Sequence, residues 1–339
     1  MTQSTAAAGS LTKALGQFHF VPEEFADYST DLVTATRFLR TEPEQIRELV
    51  AAGLPHAIGA DGEVLCDYVD LTNVAAFAGN GQTVPELALR FLMRFAASPL
   101  ESLYTARGWE VVVRPPQRNG ETVAVRAADL EAPGLRVHSV EPLDQADGPA
   151  GDAPAGSLVP GGYQMRVELT GEQDTVRDPR IKVVYDEIMA ALLDESVIYQ
   201  TVPEELRADH RRAWEMGMAD CIVVSRMLAD RLRSELGLTA RARRGYLLGL
   251  LGSDHAWAEV QEDGRWKTLD AVAAHLVSGS RRDLGIGERP EFAAACFGSR
   301  FNRFLPCATD GADPLVYFGD RPAPQWALAG VSAKPWSTS

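Results

Sequence analysis

The chain has 339 residues, 45% of them hydrophobic, and 33 Lys and Arg against 47 Asp and Glu give it a formal net charge of -14. That length holds two domains or one elaborated one, and the negative field argues against nucleic acid and anionic membranes as partners. The opening stretch MTQSTAAAGSLTKALGQFHF has no basic start leading into an apolar run, and no later run reaches spanning length; a cytoplasmic protein outside the membrane is the expectation.

In chain order, TEPEQIRELVAAG and TVPELALRFLMRFAAS each open with Thr, place Pro in the first turn and put Glu three residues after the Thr, which predicts two capped helices. The stretch from Glu42 through GLP to LTNVA resembles an excisionase-type winged helix. Residues 1–100 nevertheless carry six basic against twelve acidic side chains, a net of -6, so a structural domain or docking module is expected there and not a DNA reader. WEVVVRP, TVAVRAA and LRVHSVEP have strand composition, with QRNG as a turn. Residues 143–160 are rich in Gly, Pro, Ala and Asp and read as a linker or long exposed loop. The expected division is a mainly helical domain over 1–105, a small β segment and linker over 106–160, and a catalytic core over 161–330. The tail APQWALAGVSAKPWSTS shows no assignable pattern.

Four cysteines, Cys66, Cys221, Cys296 and Cys307, form no CxxC pair and read as thiols in a reducing compartment. Cys221 stands apart because Val224, Met227, Leu228, Leu232 and Leu236 follow it at helical spacing, with Ser225, Arg226, Asp230, Arg233 and Ser234 opposite and Gly237 as the stop. A cysteine in the first turn meets unpaired amides and the positive end of the dipole, so its pKa is expected to fall; the same amides are candidates for an oxyanion hole. Downstream, DHAWAEVQEDGRWKTLDAV predicts a hairpin turning at Asp263-Gly264. Opposed positions then sum to 527, Trp257 faces Asp270, and His255 lies diagonal to Asp270.

A thiol at a helix start, an imidazole on a strand and a carboxylate beside it are the parts of acyl transfer through a triad. In that order they resemble the transglutaminase-like superfamily, on GMADC with LADRLRSELGLTARARRGY, then HAWAEV and GRWKTLDAV, across about residues 180–275. The resemblance implies an α+β, papain-like transglutaminase core with a helical N-terminal extension, Cys221 as nucleophile, His255 as base and Asp270 as its orienter. It implies no metal and no cofactor. Asp220 stands where the animal crosslinking enzymes carry Gln, which weakens any inference of protein crosslinking. Trp214, Arg241, Arg243 and Trp257 are candidate substrate contacts, the two arginines by alternation on the strand before the hairpin.

Three activities remain open. The first, which the sequence reading prefers, is amide formation between a small-molecule or carrier-protein-bound acyl substrate and an amine acceptor, in bacterial specialised metabolism such as antibiotic biosynthesis. The second is a hydrolase with the same triad, and the third a noncatalytic binding protein on the same scaffold.

Overall fold

Alternating apolar side chains in the middle of the chain, Trp109, Val111 and Val113 on one strand and Tyr163, Met165, Val167 and Leu169 on another, are all buried, as strands packed on a core require. In the computed structural model, which describes residues 10–117, 121–143, 153–249, 252–278, 285–309, 311 and 313–337, they belong to a nine-stranded sheet. Its order is Phe297–Gly298, Arg265–Leu269, Gly252–Glu262, Gly330–Pro335, Arg107–Arg114, Tyr163–Leu169 and Leu135–Pro142. Ala240–Leu248 pairs with Gly252–Glu262 and also with Phe304–Thr309. Every pairing in this sheet is antiparallel, and helices lie against it, giving a mixed α and β architecture.

The strands expected between Trp109 and Val140 are present, but they make no sheet of their own. Arg107–Arg114 and Leu135–Pro142 flank Tyr163–Leu169 in the large sheet. Val123–Arg126 joins a four-stranded sheet with Leu158–Pro160, Val316–Phe318 and Arg321–Pro322. The expected linker therefore ends in a strand; its residues 144–152 lie outside the described residues, as do 118–120 of the QRNG turn. The unassigned tail contributes Gly330–Pro335, which lies between Arg107–Arg114 and Gly252. Its sequence GVSAKP offers little apolar alternation, because its half-exposed side chains leave backbone pairing to hold it.

Two separate clusters of buried apolar residues divide the chain. The smaller runs from Leu11 to Ala78, and the larger begins at Leu92 and Met93. Helix Val84–Met93 thus already packs into the larger cluster, ahead of the expected boundary at 105, and the strands of 106–160 share that cluster. The smaller unit holds helices Leu32–Leu39, Pro43–Ala51 and Tyr68–Phe77 around a sheet ordered Tyr28–Thr30, Val64–Asp67, His56–Ile58. Thr83 caps Val84–Met93 in a capping box with Glu86, as its sequence predicts. For Pro43–Ala51 the cap is Glu42 with Gln45, one residue later than the Thr41 pattern indicates. Among the described residues no helix is long and apolar enough to cross a membrane.

Two side-chain amides fasten the units together. Asn73 accepts from the Thr201 N–H at 2.8 Å and donates to its carbonyl at 3.0 Å. Gln200 accepts from the His19 N–H at 2.9 Å and donates to its carbonyl at 2.7 Å.

Candidate active site

Helix Cys221–Ser234 starts at the cysteine because Asp220, extended at φ -109°, ψ -173°, caps it and accepts from the N–H groups of Ile222 and Val223. The helix enters the core deeply. Its whole first turn is buried, Ser225 included, while Met227 is only partly buried, so the expected single apolar face holds only for the later turns. Ser225 satisfies its hydroxyl on the Ile222 carbonyl at 3.0 Å, which is how a polar residue survives there.

The hairpin register agrees with the sequence reading. Ala258 pairs with Leu269, Val260 with Lys267 and Glu262 with Arg265, each pair summing to 527. Asp263 and Gly264 both take positive φ, 52° and 74°, as a two-residue turn matched to strand twist demands. Asp270 follows the second strand as the cap of helix Ala271–Val277, with Oδ1 accepting from the Ala273 N–H. Its other oxygen, Oδ2, lies 2.7 Å from Nε2 of His255, and both side chains are buried. Nδ1 of the imidazole is left facing away from the carboxylate. Across from His255 stands Gly245, where an added Cβ would come within 1.9 Å of the Leu305 carbonyl oxygen.

Cys221 and His255 share a cleft of about 150 Å³. One wall is apolar, Leu89, Leu92, Met93 and Phe95; another is polar, with Gln200, Arg207, Asp220, Ser253 and Asp254. The N–H of Ala256, next to His255, hydrogen-bonds the Cys221 sulfur. A second, narrower crevice joins Cys221 to Asp270 and Trp257.

The thiol departs from expectation. Burial raises the Cys221 pKa well above its ordinary value, Asp220 and Asp254 raise it further, and Arg207 and the Ala256 N–H oppose them only in part. The helix terminus does not win, because the cysteine is only 7% exposed and the Ile222 and Val223 amides already serve the Asp220 carboxylate. Those two amides are likewise closed to an oxyanion, whereas the N–H of Cys221 lies outside the cap. Burial also raises the other thiols, Cys66 to about 11, Cys307 to about 12 and Cys296 well above its usual range. None of these three lines the cleft.

Of the candidate substrate contacts, only Trp257 touches this region, stacked on Phe304 at 5.0 Å with its Nε1–H donating to Glu259. Trp214 packs against the larger core. Arg241 pairs with Glu259 and lies 3.9 Å from the Trp266 ring centroid. Arg243 is buried, paired with Asp129 and bonded to Thr309. Trp214, Arg241 and Arg243 do not line the cleft: Arg243 lies where Ala240–Leu248 is paired on both sides, with Trp257 and Thr309 opposite, and Arg241 is taken up by Glu259 and Trp266. Sequence reasoning missed Arg207, Gln200 and Asp254. Arg207 is buried and bonded to Asp220 and Glu204. Only Asp254, beside His255 in SDHAWAEV, carried a local signal.

No family model matches the chain, and no curated protein matches it significantly. Among solved structures it is similar to a putative cysteine protease from Cytophaga hutchinsonii, at 14% identity and a TM-score of 0.33, covering 69% of this chain and 92% of that one.

Proposed function

We propose that the protein is a cysteine enzyme that takes an acyl group onto Cys221 as a thioester. The observation that carries this reading is the buried His255–Asp270 pair, joined through Nε2, with His255 lining the same cleft as Cys221. Because the thiol is held protonated, attack requires proton transfer as the S–C bond forms. Sγ adds to the carbonyl carbon, its proton passes to Nδ1 of His255, and the developing oxyanion meets the N–H of Cys221. Asp270 holds the Nε2–H tautomer and stabilises the imidazolium. The imidazolium then protonates the leaving amine or thiol as its bond to the carbonyl breaks, which leaves the thioester. The order of helix-start cysteine, strand histidine and following aspartate is in keeping with the transglutaminase-like resemblance.

Water attacking that thioester makes the protein a cysteine hydrolase, the default reading. Amide-forming acyl transfer is the second, favoured by the apolar wall of Leu89, Leu92, Met93 and Phe95, which limits water around the bound acyl group. Intact-protein mass spectrometry after incubation with a set of activated acyl thioesters and amides tests the shared step: one acyl mass is expected on Cys221 and none on Cys221→Ala. Adducts that persist in Cys221→Ala, or no adduct with any donor, overturn the assignment. Partition of a preformed adduct between water and added primary amines separates hydrolase from transferase.

A further inference from the structure

The polar side chains of the cleft are nearly all engaged elsewhere. Gln200 is taken up by the His19 backbone. Asp220 holds Arg207 and two helix amides, Arg207 also holds Glu204, and His255 holds Asp270. Asp254 differs. Half-buried at the cleft, it receives a 3.2 Å hydrogen bond from its neighbour Ser253; Arg207, already paired with Asp220 and Glu204, interacts with it through space, and among the described residues it forms no ion pair of its own. Counting the linked charges around it, the guanidinium groups of Arg207 and Arg244 meet the carboxylates of Glu204 and Asp220, and Asp254 is left as the excess negative charge.

We propose that Asp254 makes the cleft selective for a substrate bearing a cationic group, an ammonium or guanidinium, a few ångströms from the carbonyl presented to Cys221. The proposal rests on the reading of Cys221 as nucleophile. A carboxylate that leaves one excess negative charge in a narrow cleft with one apolar wall favours a cation by direct pairing and by field focusing. It also disfavours thiolate on the neighbouring cysteine, so a bound cation that neutralises Asp254 eases deprotonation at the moment of attack. Selectivity and activation would then come from one contact.

The probes are three methanethiosulfonates of similar size: a cationic trimethylammonium-ethyl, an anionic sulfonatoethyl and a neutral reagent. Each transfers its alkylthio group to the cysteine as methanesulfinate leaves. Second-order rates at Cys221 are read by peptide mass spectrometry in the full chain, at a salt concentration that screens the long-range field. In the unsubstituted protein the cationic reagent is expected to label Cys221 at least about tenfold faster than the anionic one, a ratio within the range of local electrostatic focusing. Asp254→Asn should reduce that ratio on the order of tenfold, while the neutral rate rises because the carboxylate no longer disfavours the thiolate. Asp254→Ser is the second variant should the amide disturb folding, which thermal melting reports. An unchanged ratio in the variants, or a ratio near one throughout, overturns the selectivity and leaves the nucleophile reading standing. Failure of the neutral reagent to label Cys221 in the unsubstituted protein overturns both.

Discussion

An asparagine at position 270 would keep the cap of helix Ala271–Val277, since its carbonyl oxygen can still accept from the Ala273 N–H. Its NH₂ would face Nε2 of His255 and force the imidazole proton onto Nδ1, the nitrogen that accepts from the thiol in the proposed step. Asp270→Asn is therefore expected to lower turnover by roughly 10²–10⁴-fold with melting nearly unchanged, measured by steady-state kinetics beside a thermal melt; a harmless substitution would remove Asp270 from the mechanism. Glu259 is no neutral control for this experiment, because it is buried between Arg241 and Trp257. The thiol sets a second expectation. With its pKa raised by burial and by Asp220 and Asp254, the thiolate fraction climbs throughout the range near neutrality. Alkylation of Cys221 by iodoacetamide should then rise about tenfold per pH unit from pH 6 to 9, with no plateau on the acid side. A plateau below pH 7 would show a preformed thiolate–imidazolium pair instead.

Three strands run together behind the histidine, with Gly245 paired to His255 on one side and Pro306 on the other. Because a methyl there would meet the Leu305 carbonyl oxygen at 1.9 Å, Gly245→Ala must push Phe304–Thr309 away from Ala240–Leu248. A loss of about 2 kcal/mol or more is expected by denaturant titration, together with lower turnover as His255 shifts; a stable, fully active variant would show that the strand trio tolerates spreading. This element scale also explains what the sequence could reveal. The positions of Cys221, His255 and Asp270 were legible because local signals determine them: a capped helix start, and a two-residue turn that fixes which residues oppose. Arg243 was not legible, since whether a strand residue is solvated depends on a second neighbour, Phe304–Thr309, that lies more than 50 residues away in the chain. The pKa of Cys221 was misread for a related reason. Helix polarity is visible in sequence, whereas burial of the sulfur arises only when residues distant in the chain, from Leu89 to Phe304, close around it.

At the scale of the molecule, the N-terminal unit carries its own ionisable device. Burial pushes the Asp70 pKa up to about 7, with Asp67 adding to the shift and the Val21 N–H opposing it. The folded state therefore holds this proton over a range where the unfolded chain, at about 4, has released it. Stability should fall as pH rises from about 4 to about 7 and stay lower above, with a slope contribution of up to about 1.4 kcal/mol per pH unit from this group. Asp70→Asn, which mimics the protonated form and keeps an acceptor for Val21, should flatten that slope and raise the melting temperature at pH 8. Melting curves from pH 4 to 8 check it, and an unchanged slope would place the titration elsewhere.

The paired amide clamps give this distant titration a route to the chemistry. Residues 19 and 73 of one unit grip residues 200 and 201 of the other, and the N–H of Gln200 donates to the Ala219 carbonyl at 2.8 Å, two positions before Cys221. Undocking the smaller unit would release four hydrogen bonds on the adjacent residues 200 and 201 together, and Gln200 itself lines the cleft, so docking and substrate binding are expected to be coupled. Thermodynamic reciprocity then applies: whatever free energy docking contributes to substrate binding, bound substrate returns as protection of residues 10–78 against amide exchange.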